Sequence, residues 1–118
     1  MTTLLLAQSF SATHQIRIGG ELEPVHGHDF RCEVEVASAD ERDAVSLAPA
    51  LLRALAPLER THLERVERSE GGCASAERIA AYIHHALGDE LAEDPALRVV
   101  SVTVEEAPGC RARFERRG

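Results

Sequence analysis

The chain has 118 residues, with 13 Lys+Arg against 20 Asp+Glu and a net charge of −7. That length fits one domain spanning residues 1–118, and a hydrophobic content of 44% supports a single modest core. The acidic balance argues against general nucleic-acid binding, which needs a basic surface to neutralise phosphates. No apolar run approaches the roughly 20 residues that span a bilayer, so no membrane association is expected. Leu4-Leu5-Leu6 is too short for a signal-peptide core, and no basic region precedes it. Three unpaired-looking cysteines, Cys32, Cys73 and Cys110, do not read as a disulfide framework. The expected compartment is therefore the reducing cytoplasm.

The first predicted element is a strand from Thr3 to about Ile18, ended by Gly19-Gly20. The second is clearer. Phe30, Cys32, Val34 and Val36 alternate with Arg31, Glu33 and Glu35, as on a strand with one covered face. Ser46 is the expected cap of a helix carrying Leu47, Leu51, Leu52, Leu55 and Leu58, ended near Pro57. A charged stretch, 59–72, leads to Gly71-Gly72. Ser75 then caps a second helix, whose stripe is Ile79, Ala80, Ile83, Ala86 and Leu87, with Gly88 as its stop. Val100, Val102 and Val104 form a third strand. After the Pro108-Gly109 turn, Cys110, Ala112 and Phe114 form a fourth, paired with the third as a hairpin. The order ββααββ predicts an α+β fold: a four-stranded antiparallel sheet with two helices on one face.

The chemistry is concentrated in the histidines. His26-Gly27-His28 is an H-x-H pair, and His14 lies upstream. On an extended segment, residues i and i+2 project to one side, roughly 6.5–7 Å apart. An ion between them reaches both imidazoles at about 2.0–2.1 Å, and His14 on an antiparallel neighbour makes a third ligand. Three neutral imidazoles leave a fourth position open, the layout of a catalytic zinc. Gly27 is expected to let the backbone bend between them. H-x-H alone does not separate a metal site from two surface histidines, nor zinc from copper or nickel.

The residues around the histidines narrow the reading. Phe10-Ser11-Ala12-Thr13-His14, followed by His26-Gly27-His28-Asp29-Phe30, resembles the signature of the 6-pyruvoyltetrahydropterin synthase family, which includes the 6-carboxytetrahydropterin synthases. Ser75-Ala76-Glu77 and Val104-Glu105-Glu106 extend the resemblance over nearly the whole chain. It implies a T-fold whose sheets close into a barrel between subunits, as a homo-trimer or a homo-hexamer. It also implies that His14, His26 and His28 bind Zn2+, and that Glu106 anchors a pterin-like small-molecule substrate. A carboxylate suits that anchor, because it accepts two parallel hydrogen bonds from a ring N–H and an exocyclic amine.

The chain departs from the family pattern in three places. The cysteine that usually stands four residues before H-G-H is Leu22 here. Glu23 follows it, and Glu23-Pro24-Val25-His26-Gly27-His28 resembles the subtype that cleaves the side chain of dihydroneopterin triphosphate. Glu23 is then the candidate base, since a carboxylate near a metal can take a hydroxyl proton and start a retro-aldol cleavage. The family's usual Asp-His dyad reads Glu59-Arg60. Arg60 stays charged and cannot shuttle protons, but it suits an anionic or phosphorylated substrate group. His62, two residues on, is the remaining candidate proton carrier. The loop from His14 to His26 is also short. The leading expectation is a zinc-dependent lyase acting on dihydroneopterin triphosphate. The alternatives are a divergent enzyme with a non-pterin substrate and a noncatalytic zinc-binding protein.

Overall fold

The computed structural model describes residues 1–14, 17–22, 26–61, 63 and 75–116. For His14, Arg17, Ile18, Leu22, His26 and His28 it describes the backbone only. The elements in chain order are β1 (Thr2–His14), β2 (Arg17–Ile18), β3 (Glu21–Leu22), β4 (His26–Ser38), α1 (Ala48–Leu55), α2 (Ala76–Glu90), β5 (Leu97–Ala107) and β6 (Cys110–Glu115). A four-stranded antiparallel sheet has the order β1-β4-β5-β6. This is the expected α+β sheet-and-helix arrangement.

One face of the sheet carries the core. Phe10 and Ala12 of β1, Phe30, Cys32, Val34 and Val36 of β4, and Val102 and Val104 of β5 are buried there. Ala50, Leu51, Ala54 and Leu55 of α1 and Ile79, Ala80, Ile83 and Leu87 of α2 join the same cluster. These helix positions recur at three- and four-residue spacing, which puts an apolar stripe of each helix against the sheet. The opposite face is charged. Glu35 and Arg113 meet there at 2.6 Å, and Arg31 lies 3.3 Å from Glu33.

Three expectations about element ends need correction. The first strand stops at His14 instead of Ile18. Gly19 and Gly20 take φ values of 59° and 85° and close a separate two-residue hairpin, with Arg17 opposite Leu22 and Ile18 opposite Glu21. Positive φ at both turn positions is the geometry glycine permits most readily. Ser46 does not cap α1. Asp43 accepts a hydrogen bond from the Val45 N–H at 3.0 Å and starts a 3-10 turn over Ala44–Leu47, while the Ser46 hydroxyl donates to the Asp43 carbonyl at 2.6 Å. The helix proper begins at Ala48, with Pro49 in its first turn, where a missing N–H costs nothing. Gly88 does not stop α2, which continues to Glu90. Ser75 does cap it, accepting from the Arg78 N–H at 3.3 Å. Among the described residues no helix is long and apolar enough to cross a membrane.

Candidate metal and substrate site

The end of the sheet where β1 finishes and β4 begins holds the histidines. In the antiparallel register His14 is opposite His26, Thr13 opposite Gly27, Ala12 opposite His28, and Phe10 opposite Phe30. Strand alternation puts positions 14, 26 and 28 on the face of Phe10, Ala12 and Phe30. Opposed residues in such a pair have Cβ atoms about 5 Å apart, and i, i+2 neighbours are only slightly further. The Phe10 and Phe30 rings stack just inside this end, with centroids 5.2 Å apart and planes at 15°. They floor the end with apolar surface. Ala12 places a small side chain opposite position 28.

Three imidazole donors on two paired strands fit a first-row divalent cation such as zinc, which takes nitrogen ligands in tetrahedral geometry. Among the residues whose side chains are described, no group of three or more His, Cys, Asp or Glu could hold a metal ion. Gly27 has no conformational duty here. It sits in regular register, and a Cβ added to it would meet the Ala12 carbonyl and Thr13 Cγ2 at an ordinary 3.8 Å. The expected bend at Gly27 is therefore not the reason for glycine.

The third strand brings Glu106 to the same end. Arg31 of β4 is opposite Glu105 of β5, and a β-bulge lies between Glu105 and Ala107. Glu106 is the extra residue of that bulge and is half-buried. It thus lies beyond the Arg31–Glu105 pair, one strand across from the start of β4. Bulges of this kind re-aim a side chain at the end of a ladder. The adjoining Glu105 carboxylate is 3.6 Å from Arg111.

The segment after α1 closes the outer edge of β1. Leu58 and Leu63 anchor it in the core, at 2% and 1% exposure. Between them, the Arg60 N–H donates to the Ser11 carbonyl at 2.5 Å, and the Thr13 N–H donates to the Thr61 carbonyl at 3.1 Å. The Ser11 N–H reaches both Glu59 carboxylate oxygens, at 3.3 and 3.4 Å. Glu59 thus acts as a backbone acceptor that holds the last residues of β1. Nothing local in the sequence marks that contact, because its partners are 48 residues apart.

Arg60 pays for this path with a left-handed backbone, φ 56°. Its exposed side chain lines a shallow depression of about 380 Å3 with Ser11, Thr13, Gly27 and Asp29. The Ser11 hydroxyl donates to the Asp29 carboxylate there, at 2.5 Å. This depression is on the outer face, behind the strand positions that carry the histidines.

The cysteines divide by environment. Cys32 is fully buried, and burial, helped by the Glu33 charge, pushes its thiol up to about 12. A thiol held neutral is a packing group and not a nucleophile. Cys110 is exposed at the start of β6. Cys73, and the candidates Glu23 and His62, lie outside the described residues. Leu22, at the position of the family's usual cysteine, is the last residue of β3.

No curated protein matches this chain. A family model described as 6-pyruvoyl tetrahydropterin synthase matches residues 3–117. The structure is similar to the 6-pyruvoyl tetrahydropterin synthase of Caenorhabditis elegans, with a TM-score of 0.79, 19% identity, and 98% of this chain and 96% of that one covered. It is similar to the Plasmodium vivax enzyme at a TM-score of 0.76 and 19% identity, over 98% of this chain and 97% of that one. A variant of the Plasmodium vivax enzyme, with a catalytic glutamate replaced by alanine, aligns at a TM-score of 0.76 and 18% identity, with 98% and 97% covered. These likenesses agree on the fold, the family match leaves only the first two residues and the last outside it, and the chain belongs to the 6-pyruvoyl tetrahydropterin synthase family.

Proposed function

We propose that the protein is a zinc-dependent lyase that acts on dihydroneopterin triphosphate or a close pterin relative. The observation that carries the reading is the β1–β4 register, with His14 opposite His26 and His28 two residues on. In this reading His14, His26 and His28 hold the zinc, which when bound supplies Lewis acidity to oxygens of the substrate side chain. Glu106 accepts hydrogen bonds from the pterin ring N–H and amine and fixes its orientation. The stacked Phe10–Phe30 floor keeps that end of the sheet apolar, whereas Arg60, the phosphate candidate of the sequence, lines the outer face behind it and is left out of this reading.

Glu23 takes the proton from the hydroxyl on the carbon to be released. The carbon–carbon bond then breaks, the released fragment becomes a carbonyl compound, and the pterin-side carbon takes a proton. His62 is the candidate donor of that proton. The glutamate named as catalytic in the Plasmodium vivax relative supports a carboxylate base in a chain whose cysteine position is Leu22. The subunits assemble as trimers, or pairs of trimers, through the edge of β6 and the part of the β1 edge before Ser11, which pairing between chains would cover.

The test is product identification after incubation with dihydroneopterin triphosphate. The reading expects 6-hydroxymethyl-dihydropterin. A pyruvoyl or carboxy product would put the chain with the synthases of the family, and untouched substrate would contradict a pterin lyase.

A further inference from the structure

The opposite end of the sheet carries a second cleft, of about 400 Å3, between the last turns of α2 and the start of β5. His84, Asp89, Asp94, Arg98 and Arg116 contribute its polar lining. Each of its two carboxylates has a basic neighbour. The Asp94 carboxylate is bound by Arg42 at 2.7 Å, and Asp89 lies 3.5 Å from His85. Arg98 and Arg116 form no ion pair with any described residue. The cleft thus presents two arginines without an ion pair among the described residues, in an acidic protein.

His84 is the unusual member. It is 7% exposed, and its Nε2 has no hydrogen-bond partner among the described residues. Its ring stands edge-on to Phe114 of β6, with centroids 5.2 Å apart at 76°. A buried polar atom without a partner calls for an explanation, and a ligand is one.

We propose that this cleft is a second ligand site that takes a small molecule bearing an oxyanion, a phosphate or a carboxylate, with Arg98 and Arg116 meeting its charge and His84 Nε2–H donating to it. Guanidinium groups suit planar and tetrahedral oxyanions alike. The site is separate from the histidine end and does not rest on the lyase reading. Burial, then the Arg116 charge, hold the free His84 below the usual imidazole range, so it is neutral at pH 7 in the empty cleft. The groups around it are His85 and Asp89 from α2, Asp94 from the turn, Arg98 from β5, and Phe114 and Arg116 from β6 and its end. An anion beside Nε2 favours the protonated ring, so binding takes up a proton and tightens as pH falls.

The experiment titrates the full chain with sulfate, and separately with acetate, at constant ionic strength, following the His84 ring resonances by NMR. Sulfate keeps its charge across the range used. A saturating His84 shift with sulfate assigns a phosphate-like ligand, and one with acetate assigns a carboxylate. Either should weaken about tenfold or more in an Arg98→Ala/Arg116→Ala double variant and bind more tightly at about pH 6 than at about pH 8. Both arginines are exposed, so that variant folds as the parent does. Shifts that never saturate with either anion, or that are equal in the double variant, overturn the proposal.

Discussion

His14 and His26 are the last cross-strand pair of β1 and β4, and the ladder that aligns them is held from outside by Glu59. The carboxylate takes the Ser11 N–H, while the Arg60 and Thr13 amides bond across to and from the same strand. The end of an edge strand ordinarily frays, because half of its backbone groups face no partner. Here three contacts to the 59–61 segment stop that at Ser11 and Thr13, directly before His14. The position of His14, a proposed metal ligand, is thereby tied to a loop 45 residues or more downstream in the chain.

The first prediction concerns Glu23. If it is the base, Glu23→Gln removes proton transfer and leaves the metal and pterin contacts alone. Turnover of dihydroneopterin triphosphate should fall by about 10²- to 10⁴-fold, with bound zinc and pterin affinity retained. Steady-state kinetics alongside metal analysis measures both. Unchanged turnover would remove Glu23 from the mechanism.

A second prediction separates folding from binding at Arg60. Its φ of 56° suits glycine better than arginine. Arg60→Gly should leave stability equal or raise it by up to about 1 kcal/mol in urea unfolding. The same change should leave KM for the triphosphate and for the dephosphorylated pterin unchanged, because the side chain lines the outer face. A KM that rises for the triphosphate alone would bring Arg60 into the phosphate site.

Much of this architecture is legible in the sequence, and the exceptions have physical causes. The alternation from Phe30 to Val36 and from Val100 to Val104 marks β4 and β5, because one face of each is buried and the other charged. The same alternation misleads at Ile18. It continues past His14, although the Gly19-Gly20 turn has already claimed Arg17 and Ile18 for a separate hairpin. Asp43 and Ser46 are both good caps, and sequence spacing does not say which carboxylate or hydroxyl reaches a free N–H. His84 falls on the buried stripe of α2, four residues after Ala80 and three before Leu87, although the stripe expected from the sequence leaves it out. The Glu59 contact to β1 was not, since only the folded chain brings the two together.

A third prediction follows from the Arg42 clamp. Arg42 bonds Asp40 at 2.7 and 2.8 Å and Asp94 at 2.7 Å, joining the end of β4 to the turn before β5. Hydrogen bonds from Arg42, then from Ser38, lower Asp40 from 3.8 to about 2, and Arg42 also lowers Asp94. Both carboxylates have folded values below their unfolded ones. Their stabilisation is therefore full above the unfolded value of 3.8 and is lost as pH falls through the folded value, about 2 for Asp40. Urea midpoints measured across that acid range should decline, and Arg42→Ala should flatten the decline. An identical slope in the variant would contradict the clamp.

A fourth prediction uses the two described thiols. A neutral, fully buried Cys32 should resist alkylation in the folded protein, while exposed Cys110 reacts. Mass spectrometry after iodoacetamide treatment, with and without urea, reads this directly. Native-state labelling of Cys32 would place it outside the core.

The measurement closest to the central claim is X-ray absorption at the zinc edge of the purified protein, repeated on His14→Ala, His26→Ala and His28→Ala. The account predicts about one zinc per chain with three imidazole nitrogens at about 2.0–2.1 Å, and loss of bound zinc in each variant. Absence of zinc from the parent protein, or a zinc whose ligands are unchanged in all three variants, would contradict it.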